Sequence, residues 1–444
     1  MNDLTAGSLH RHLARLAGTM LFGMIFQTLY YLVDLYFVAR VGPQAVAALG
    51  LCGNLMMVTI AATQALTVGT TALVAHAWGR KDFAEARRIF NQSQVLATGA
   101  ALLFVTVVFA LRERFVSGLA ADAETARAAL DYLTWFLPSL GLQFLMSAMA
   151  AALRGAGEVK APMLVQVLAV VLNMILAPVL IVGWGTGRPL GVLGAGLATF
   201  IAILVGSVLL FVWVRRKHDV LTLEPHHWRP DFALWRRMLG IGLPSGGEFF
   251  LMSVYAGIIY YVIRPFGATA QAGFGVGMRV LQTGFMPAVA VAFSVAPIAG
   301  QNFGAGRFDR VRETLRVGLV WVSAVMLTFM AICHFFPEWL LRPFSNDPAV
   351  IAAGAGMLAI LSFNFLASGG VLVAGGLFQA LGNTLPSLLA SASRILLFAL
   401  PALWLGRQPG FQLNQLWWLS VASVLLQAAL AFWLLRQEMR AKGC

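Results

Sequence analysis

Charged residues are scarce in this sequence. Only 11% of its 444 residues are Asp, Glu, Lys or Arg, whereas a soluble domain carries about 25% to keep its surface wetted. That shortage excludes an ordinary soluble globular protein and leaves most of the surface facing hydrocarbon. Acid is scarcer than base, with 18 Asp and Glu against 31 Lys and Arg. Cysteine is limited to Cys52, Cys333 and Cys444. An odd number, far apart, excludes a disulfide framework and a cysteine-based metal centre, so Cys52 and Cys333 read as small membrane-embedded hydrophobes. No His/Cys/acidic cluster has metal-ligand spacing, and His76 and His334 stand isolated near the ends of apolar runs. Glycine-rich stretches such as Gly273-Phe274-Gly275-Val276-Gly277 lack the Lys-Ser/Thr ending of a phosphate-binding loop. With no clustered catalytic constellation, cofactor motif or metal site, an enzyme is not expected. No small-residue cleavage site follows the first apolar segment, so no cleaved leader is expected there.

What the chain has is apolar length. Hydrophobic residues make up 59% and the mean hydropathy is +0.80. Apolar runs between polar or Gly/Pro breaks predict twelve spans, near 15–39, 46–77, 91–111, 128–152, 162–184, 191–214, 236–263, 270–301, 314–336, 350–380, 386–406 and 413–436. The fold class expected is an all-α integral membrane protein with the lipid bilayer as solvent. The net charge of +13 raises nucleic acid as a partner, but the basic residues fall in short clusters between apolar runs, which rejects it. If the N-terminus is cytoplasmic, 21 of the 31 Lys and Arg lie on that side and 8 on the other, with Arg279 and Arg394 inside spans. That bias places both termini in the cytoplasm. The charged stretch between Val214 and Arg237, with Arg215-Arg216-Lys217 and His226-His227, reads as a cytoplasmic linker whose histidines are solvated. The expected division is a lobe over 1–214, a linker over 215–235 and a lobe over 236–444.

The two lobes read as copies. A shift of 225 residues places Gly42 on Gly267, Gly50 on Gly275, Gly79 on Gly304, Phe83 on Phe308, Asp122 on Asp347 and Gly157 on Gly382. The register then slips by one, and Pro162 meets Pro386. Six spans per copy is an even number, so both copies sit the same way up. They are expected to be related by a pseudo-two-fold along the membrane normal, with a substrate path between them.

A charge inside a span costs about 2.5–3.5 kcal/mol on insertion scales, so each one needs a reason. Among the 18 acidic residues only Asp34 and Glu248 lie well within spans. Asp34 sits roughly 12 Å below the outer end of its helix at 1.5 Å per residue. It shares a face with Gln27 and with Tyr30 or Tyr31. Asn173 and Thr199 lie at similar depth on two other spans. A carboxylate, an amide oxygen and a hydroxyl at one depth can bind a monovalent cation or hold a proton; hydrogen bonding between helices is the plainer alternative. Glu248 follows Leu243-Pro244-Ser245-Gly246-Gly247, where proline and glycine weaken the helix. It reads as a protonatable group, or as a partner of Arg279 or Arg394. Gln27, Tyr31, Met252, Met278, Phe285 and Arg279 are candidates to line a substrate cavity, where flexible methionine suits varied ligands.

Several short motifs then point one way. They are Gln27-Thr28-Leu29 with Val33-Asp34, Leu153-Arg154-Gly155-Ala156-Gly157, Gly242-Leu243-Pro244 with Glu248, Gly300-Gln301-Asn302-Phe303-Gly304-Ala305-Gly306, and Gln379-Ala380-Leu381-Gly382-Asn383-Thr384. Over essentially its whole length the chain resembles the multidrug and toxic compound extrusion (MATE) family, of the NorM/DinF-like kind. The resemblance implies a monomeric secondary transporter of a bacterial inner membrane. Such a protein exports amphipathic, often cationic small molecules by H⁺ or Na⁺ antiport through alternating access of two lobes. It carries Asp34, Asn173 and Thr199 over as an ion or proton site, and Glu248 as a second acid. Two departures are visible. Ala177 stands where the family often has a second Asp, and no acid lies between Ser362 and Leu377. Fewer carboxylates favour H⁺ over Na⁺. A flippase of lipid-linked saccharides is the alternative function, and it would want more basic residues inside the spans.

Overall fold

The structure is a computed structural model that describes residues 3–217 and 220–444; the side chains of Tyr31 and Lys217 lie outside that description. The described chain is all-α. Its helices are α1 (Leu9–Ala39), α2 (Pro43–Gly79), α3 (Phe83–Leu119), α4 (Ala123–Gly155), α5 (Lys160–Ala177), α6 (Gly191–Lys217), α7 (Phe232–Ile263), α8 (Gly267–Gly304), α9 (Phe308–Phe335), α10 (Pro337–Leu341), α11 (Pro348–Leu361), α12 (Asn364–Leu381), α13 (Leu385–Leu405) and α14 (Leu413–Ala441). Among the described residues, eleven helical stretches are long and apolar enough to cross a membrane. One of them, Phe232–Gly304, runs through both α7 and α8. Large apolar side chains such as Leu103, Phe109, Leu400 and Trp433 are exposed, as a hydrocarbon solvent requires.

Helix starts follow from local chemistry. Asp82, Asp122 and Asp347 each accept a backbone N–H of the following turn, at 3.0, 2.7 and 2.9 Å, satisfying donors that have no partner inside the helix. Two spans differ from the expectation. The tenth is broken at Ser362–Phe363 into α11 and α12. There the Ser362 hydroxyl donates to Ala359 O at 2.7 Å, and Phe363 N–H bonds three rather than four residues back, to Ile360 O at 3.2 Å. The fifth ends in a π-turn over Pro178–Val182, because Pro178 has no N–H to continue the ladder of α5. The short α10 has no counterpart among the expected spans.

The chain forms two compact units, and their borders cut through helices. One unit holds Thr19–Leu243; the other holds Asp3–Gly18 with Pro244–Cys444. Both cuts fall at the same place in the repeat, since Gly18 and Leu243 are 225 residues apart. The first unit therefore keeps the start of α7, and the second keeps the start of α1. This differs from the expected division at 214 and 236. The reason is packing: Leu234, Met238 and Ile241 are buried with Val68, Leu73, Phe90 and Leu153 in one apolar cluster.

Inside the two units the repeat holds to the level of single hydrogen bonds. Arg80, Lys81 and Asp82 donate to the carbonyls of His76, Trp78 and Ala77, and 225 residues later Ala305, Gly306 and Arg307 donate to those of Gln301, Phe303 and Asn302. The middle residue of each turn is left-handed, Lys81 at φ 60° and Gly306 at φ 69°. Helix neighbours repeat too. In the first unit α2 packs on α3 and α4, α4 on α3 and α6, and α5 on α6; in the second, α8 packs on α9, α11 and α12, α12 on α9 and α14, and α13 on α14.

The segment before each copy's first helix is pinned rather than free. In the second unit Leu4 is fully buried. Its N–H donates to Gln301 Oε1 at 3.1 Å, and its carbonyl accepts from Asn302 Nδ2 at 3.1 Å. In the first unit the segment after α6 lies along α3. Gln92, 3% exposed, donates through Nε2 to the carbonyls of His227 and Arg229, at 2.5 and 2.7 Å. Its Oε1 accepts from Asp231 N and Trp235 Nε1, at 3.0 and 2.9 Å. The Asp231 carboxyl is held below the ordinary carboxylate range by the Leu234 N–H first and by Arg88 second, so it is ionised at neutral pH. That pair is exposed and adds little; the buried amide is the stronger tie. Gln92→Leu strips four hydrogen bonds from this segment. It is expected to destabilise the docked state by about 2–3 kcal/mol and to open residues 220–231 to limited proteolysis, while cleavage elsewhere stays as in the parent.

Candidate functional site

The first unit contains a cavity of about 220 Å³. Helices α1, α2, α4, α5 and α6 all contribute to its wall. Asp34, Gln27 and Tyr30 come from α1, Thr59 and Thr63 from α2, Gln143 from α4, Gln166 and Asn173 from α5, and Thr199 from α6. Tyr132, Phe136, Leu140 and Met146 add apolar surface. Asp34, Asn173 and Thr199, read from the sequence as lying at one depth, thus meet in one cavity. They are 5%, 0% and 2% exposed.

Their hydrogen bonds are unevenly shared. Thr199 Oγ1 lies 3.0 Å from the Tyr30 hydroxyl, and Asn173 Nδ2 donates to it at 3.4 Å. Gln166 Nε2 donates to Gln27 Oε1 at 2.5 Å. Two buried oxygens are left over: Asp34 Oδ1 and Asn173 Oδ1 have no hydrogen-bond partner. Both are acceptors, and both belong to residues that line the cavity. An unpaired buried carboxylate costs several kcal/mol. A proton, or a small cation with its water, is the kind of species that relieves it.

The second unit holds Glu248, half-buried on α7 and hydrogen-bonded to Ser387 of α13. Among the described residues no Arg or Lys lies within ion-pair distance of it. Pairing with Arg279 or Arg394, left open by the sequence, is therefore not what the structure has. Arg279 is exposed. Arg394 instead lies 4.4 Å over the Tyr255 ring, and the Tyr255 hydroxyl is 2.8 Å from Ser420 Oγ. Of the substrate-cavity candidates, Gln27 lines the cavity of the first unit. Met252, Met278, Phe285 and Arg279 belong to the second unit, where Phe285 packs edge-on to Phe365 at 5.3 Å. The side chain of Tyr31 lies outside the described residues.

Comparison with known proteins agrees with this duplicated arrangement. The MatE family profile matches twice, over residues 20–179 and 244–405. The chain belongs to the MatE family.

Each match opens within a residue of a border between the two compact units. Among relatives of this MatE chain is "Probable multidrug resistance protein NorM" of Thermotoga maritima, 27% identical over 430 residues, covering 95% of this chain and 91% of that protein. Another is "Multidrug export protein MepA" of Staphylococcus aureus, 23% identical, with 95% and 92% covered. A third, of Shewanella oneidensis, is named an FAD transporter and is 24% identical, with 85% and 83% covered. The fold matches a solved outward-facing multidrug resistance MATE family transporter with a TM-score of 0.90 at 23% identity, covering 99% of this chain and 98% of that one. A MATE structure in a bent conformation matches with a TM-score of 0.92. With eleven stretches able to span a bilayer and transporters for relatives, this is a multi-pass membrane protein and not an enzyme.

Sequence reasoning missed part of the MatE cavity. Gln166 is seven residues before Asn173, the same face of α5 two turns away, so that periodicity was available to find it. Thr59, Thr63 and Gln143 carried no such signal, because uncharged polar residues are common in spans and only packing selects those that face a cavity. Ala177, where a second family acid is often found, is fully buried in an apolar cluster with Val38, Tyr132 and Ile181.

Proposed function

We propose that this MatE protein is a secondary transporter of a bacterial inner membrane, with both termini cytoplasmic. In this reading it exports amphipathic, cationic small molecules in exchange for H⁺. The observation that carries the reading is the pair of unpartnered buried oxygens on Asp34 and Asn173, two residues that line one cavity. The names of the multidrug relatives support the substrate class. Ala177 supports H⁺ over Na⁺: Asp34 alone can take up a proton, whereas a Na⁺ site needs several oxygens, and here the second carboxylate is replaced by a buried methyl group.

The cycle follows from charge. An ionised Asp34 helps to retain a cation; protonation removes that attraction and the substrate leaves. The neutral form then returns through the membrane interior without carrying a buried charge. Only differential affinity between states drives such a cycle. The test is purified protein in proteoliposomes loaded with a fluorescent organic cation, with a pH gradient and a Na⁺ gradient imposed one at a time. The pH gradient alone should drive transport and the Na⁺ gradient alone should not. Transport driven only by Na⁺ would overturn the proton assignment, and transport driven by neither would overturn antiport.

A further inference from the structure

The segment between α6 and α7 carries two adjacent histidines that the sequence pattern marks as solvated, and the transport reading has no use for them. The structure turns both onto one carboxylate. A single 3₁₀ turn over Pro225–His227, closed by His227 N–H on Glu224 O at 3.0 Å, folds the imidazoles back towards the Glu224 side chain. Nε2 of His226 and of His227 lie 3.4 and 3.7 Å from the same oxygen, Glu224 Oε2. The three groups present ligand atoms that all fall within 4.8 Å of one another, and the two rings are 3.9 Å apart between centroids.

These distances fit a shared metal better than hydrogen bonds. A protein N–H···O bond is about 2.7–3.2 Å, and both separations exceed it. Two ligands about 2.05 Å from one tetrahedral ion sit about 3.3 Å apart, close to 3.4 Å and within easy adjustment of 3.7 Å. We propose that Glu224, His226 and His227 form a site for a divalent transition-metal ion of the Zn²⁺ class. Two imidazoles and one carboxylate select borderline cations and disfavour Mg²⁺ and Ca²⁺, which want oxygen throughout. Water completes the shell.

The ligands are held in place by α3. The Glu224 N–H donates to Asn91 Oδ1 at 2.8 Å, and Asn91 Nδ2 donates to Thr222 O at 2.8 Å. The His227 carbonyl accepts from the buried Gln92. Glu224 Oε1 accepts from Arg87 Nη1 at 2.8 Å and from Thr222 Oγ1 at 3.2 Å, which fixes the carboxylate and leaves Oε2 to the imidazoles. The carboxylate is thus both ligand and tie, and a bound ion would staple the segment to α3 from its open side.

The experiment uses full-length protein without a histidine tag, in detergent. Co²⁺ serves as a visible-absorption probe and Zn²⁺ is followed by calorimetry, for the parent, His226→Ala, His227→Ala and Glu224→Gln. The parent should take one equivalent and show the intense bands of a low-symmetry Co²⁺ site. Each variant should bind about tenfold or more weakly. Zn²⁺ should protect residues 220–231 of the parent from protease and not protect the variants. His226 is exposed, so its variant folds and keeps the test decisive. Unchanged affinity in His226→Ala and His227→Ala, or no binding by the parent at micromolar metal, overturns the site.

Discussion

Asp34→Asn should bring gradient-driven export down by a factor on the order of 10–100, the size expected when a coupling free energy of 1–3 kcal/mol is lost. The substitution keeps the shape of the side chain and removes only its ability to exchange a proton. Folding should not suffer. Asp34 Oδ1 has no hydrogen-bond partner to lose, and a neutral amide is less costly in the cavity than an unpaired carboxylate. The variant should therefore melt at or above the temperature of the parent while failing to concentrate substrate. Glu248→Gln is the informative comparison. Its carboxyl has a hydrogen-bond partner in Ser387 and lies outside the cavity that holds Asp34, so its loss should reduce export less. A variant of Asp34 that still responds fully to an imposed pH gradient would remove this residue from the coupling step.

Gly242→Ala should destabilise the protein by about 3 kcal/mol or more, the upper end for inserting a methyl group into packed structure. A Cβ at Gly242 would stand 1.5 Å from Ala65 O, 2.6 Å from its carbonyl carbon and 3.1 Å from its Cα. All three are backbone atoms of α2 and cannot rotate away. The contact is reciprocal, since a Cβ at Gly69 would stand 2.1 Å from Met238 O. Ala65 and Gly69 on α2, and Met238 and Gly242 on α7, are each one turn apart, the small-residue spacing that lets two helices approach closely in a membrane. Gly257 lies on the same helix, and a methyl group there would meet nothing within 4 Å. Gly257→Ala should leave stability unchanged or raise it slightly. Size-exclusion chromatography after graded heating reads both variants. Equal melting of Gly242→Ala and the parent would show that α2 and α7 do not approach this closely.

Much of the site was legible because depth in a membrane is a one-dimensional quantity. Counting residues from the ends of spans placed Asp34, Asn173 and Thr199 at one level, and the structure brings them to one cavity. The face of each helix was less legible. Tyr30 and Tyr31 are equivalent by periodicity; the Tyr30 hydroxyl bonds to Thr199, and the Tyr31 side chain lies outside the described residues. Gly242 was visible as part of a motif with Leu243 and Pro244, but the reason for a glycine there is a carbonyl on α2 that no local pattern reveals. The break at Ser362 was missed for a similar reason: an uninterrupted apolar run has the hydropathy of one span whether or not its hydrogen bonds continue.

By itself the sequence determined the class of solvent, most of the spans and the duplication, because hydropathy, span length and a 225-residue register are properties of residues in order along the chain. Tertiary structure alone decided which helix ends belong to which unit, and it drew the borders at Gly18 and Leu243. It also decided that Glu224, His226 and His227 converge. The ties that hold them come from Asn91 and Gln92, more than 130 residues earlier. Burial and hydrogen bonding between distant segments are set by packing in three dimensions, and a pattern read along one dimension does not contain them.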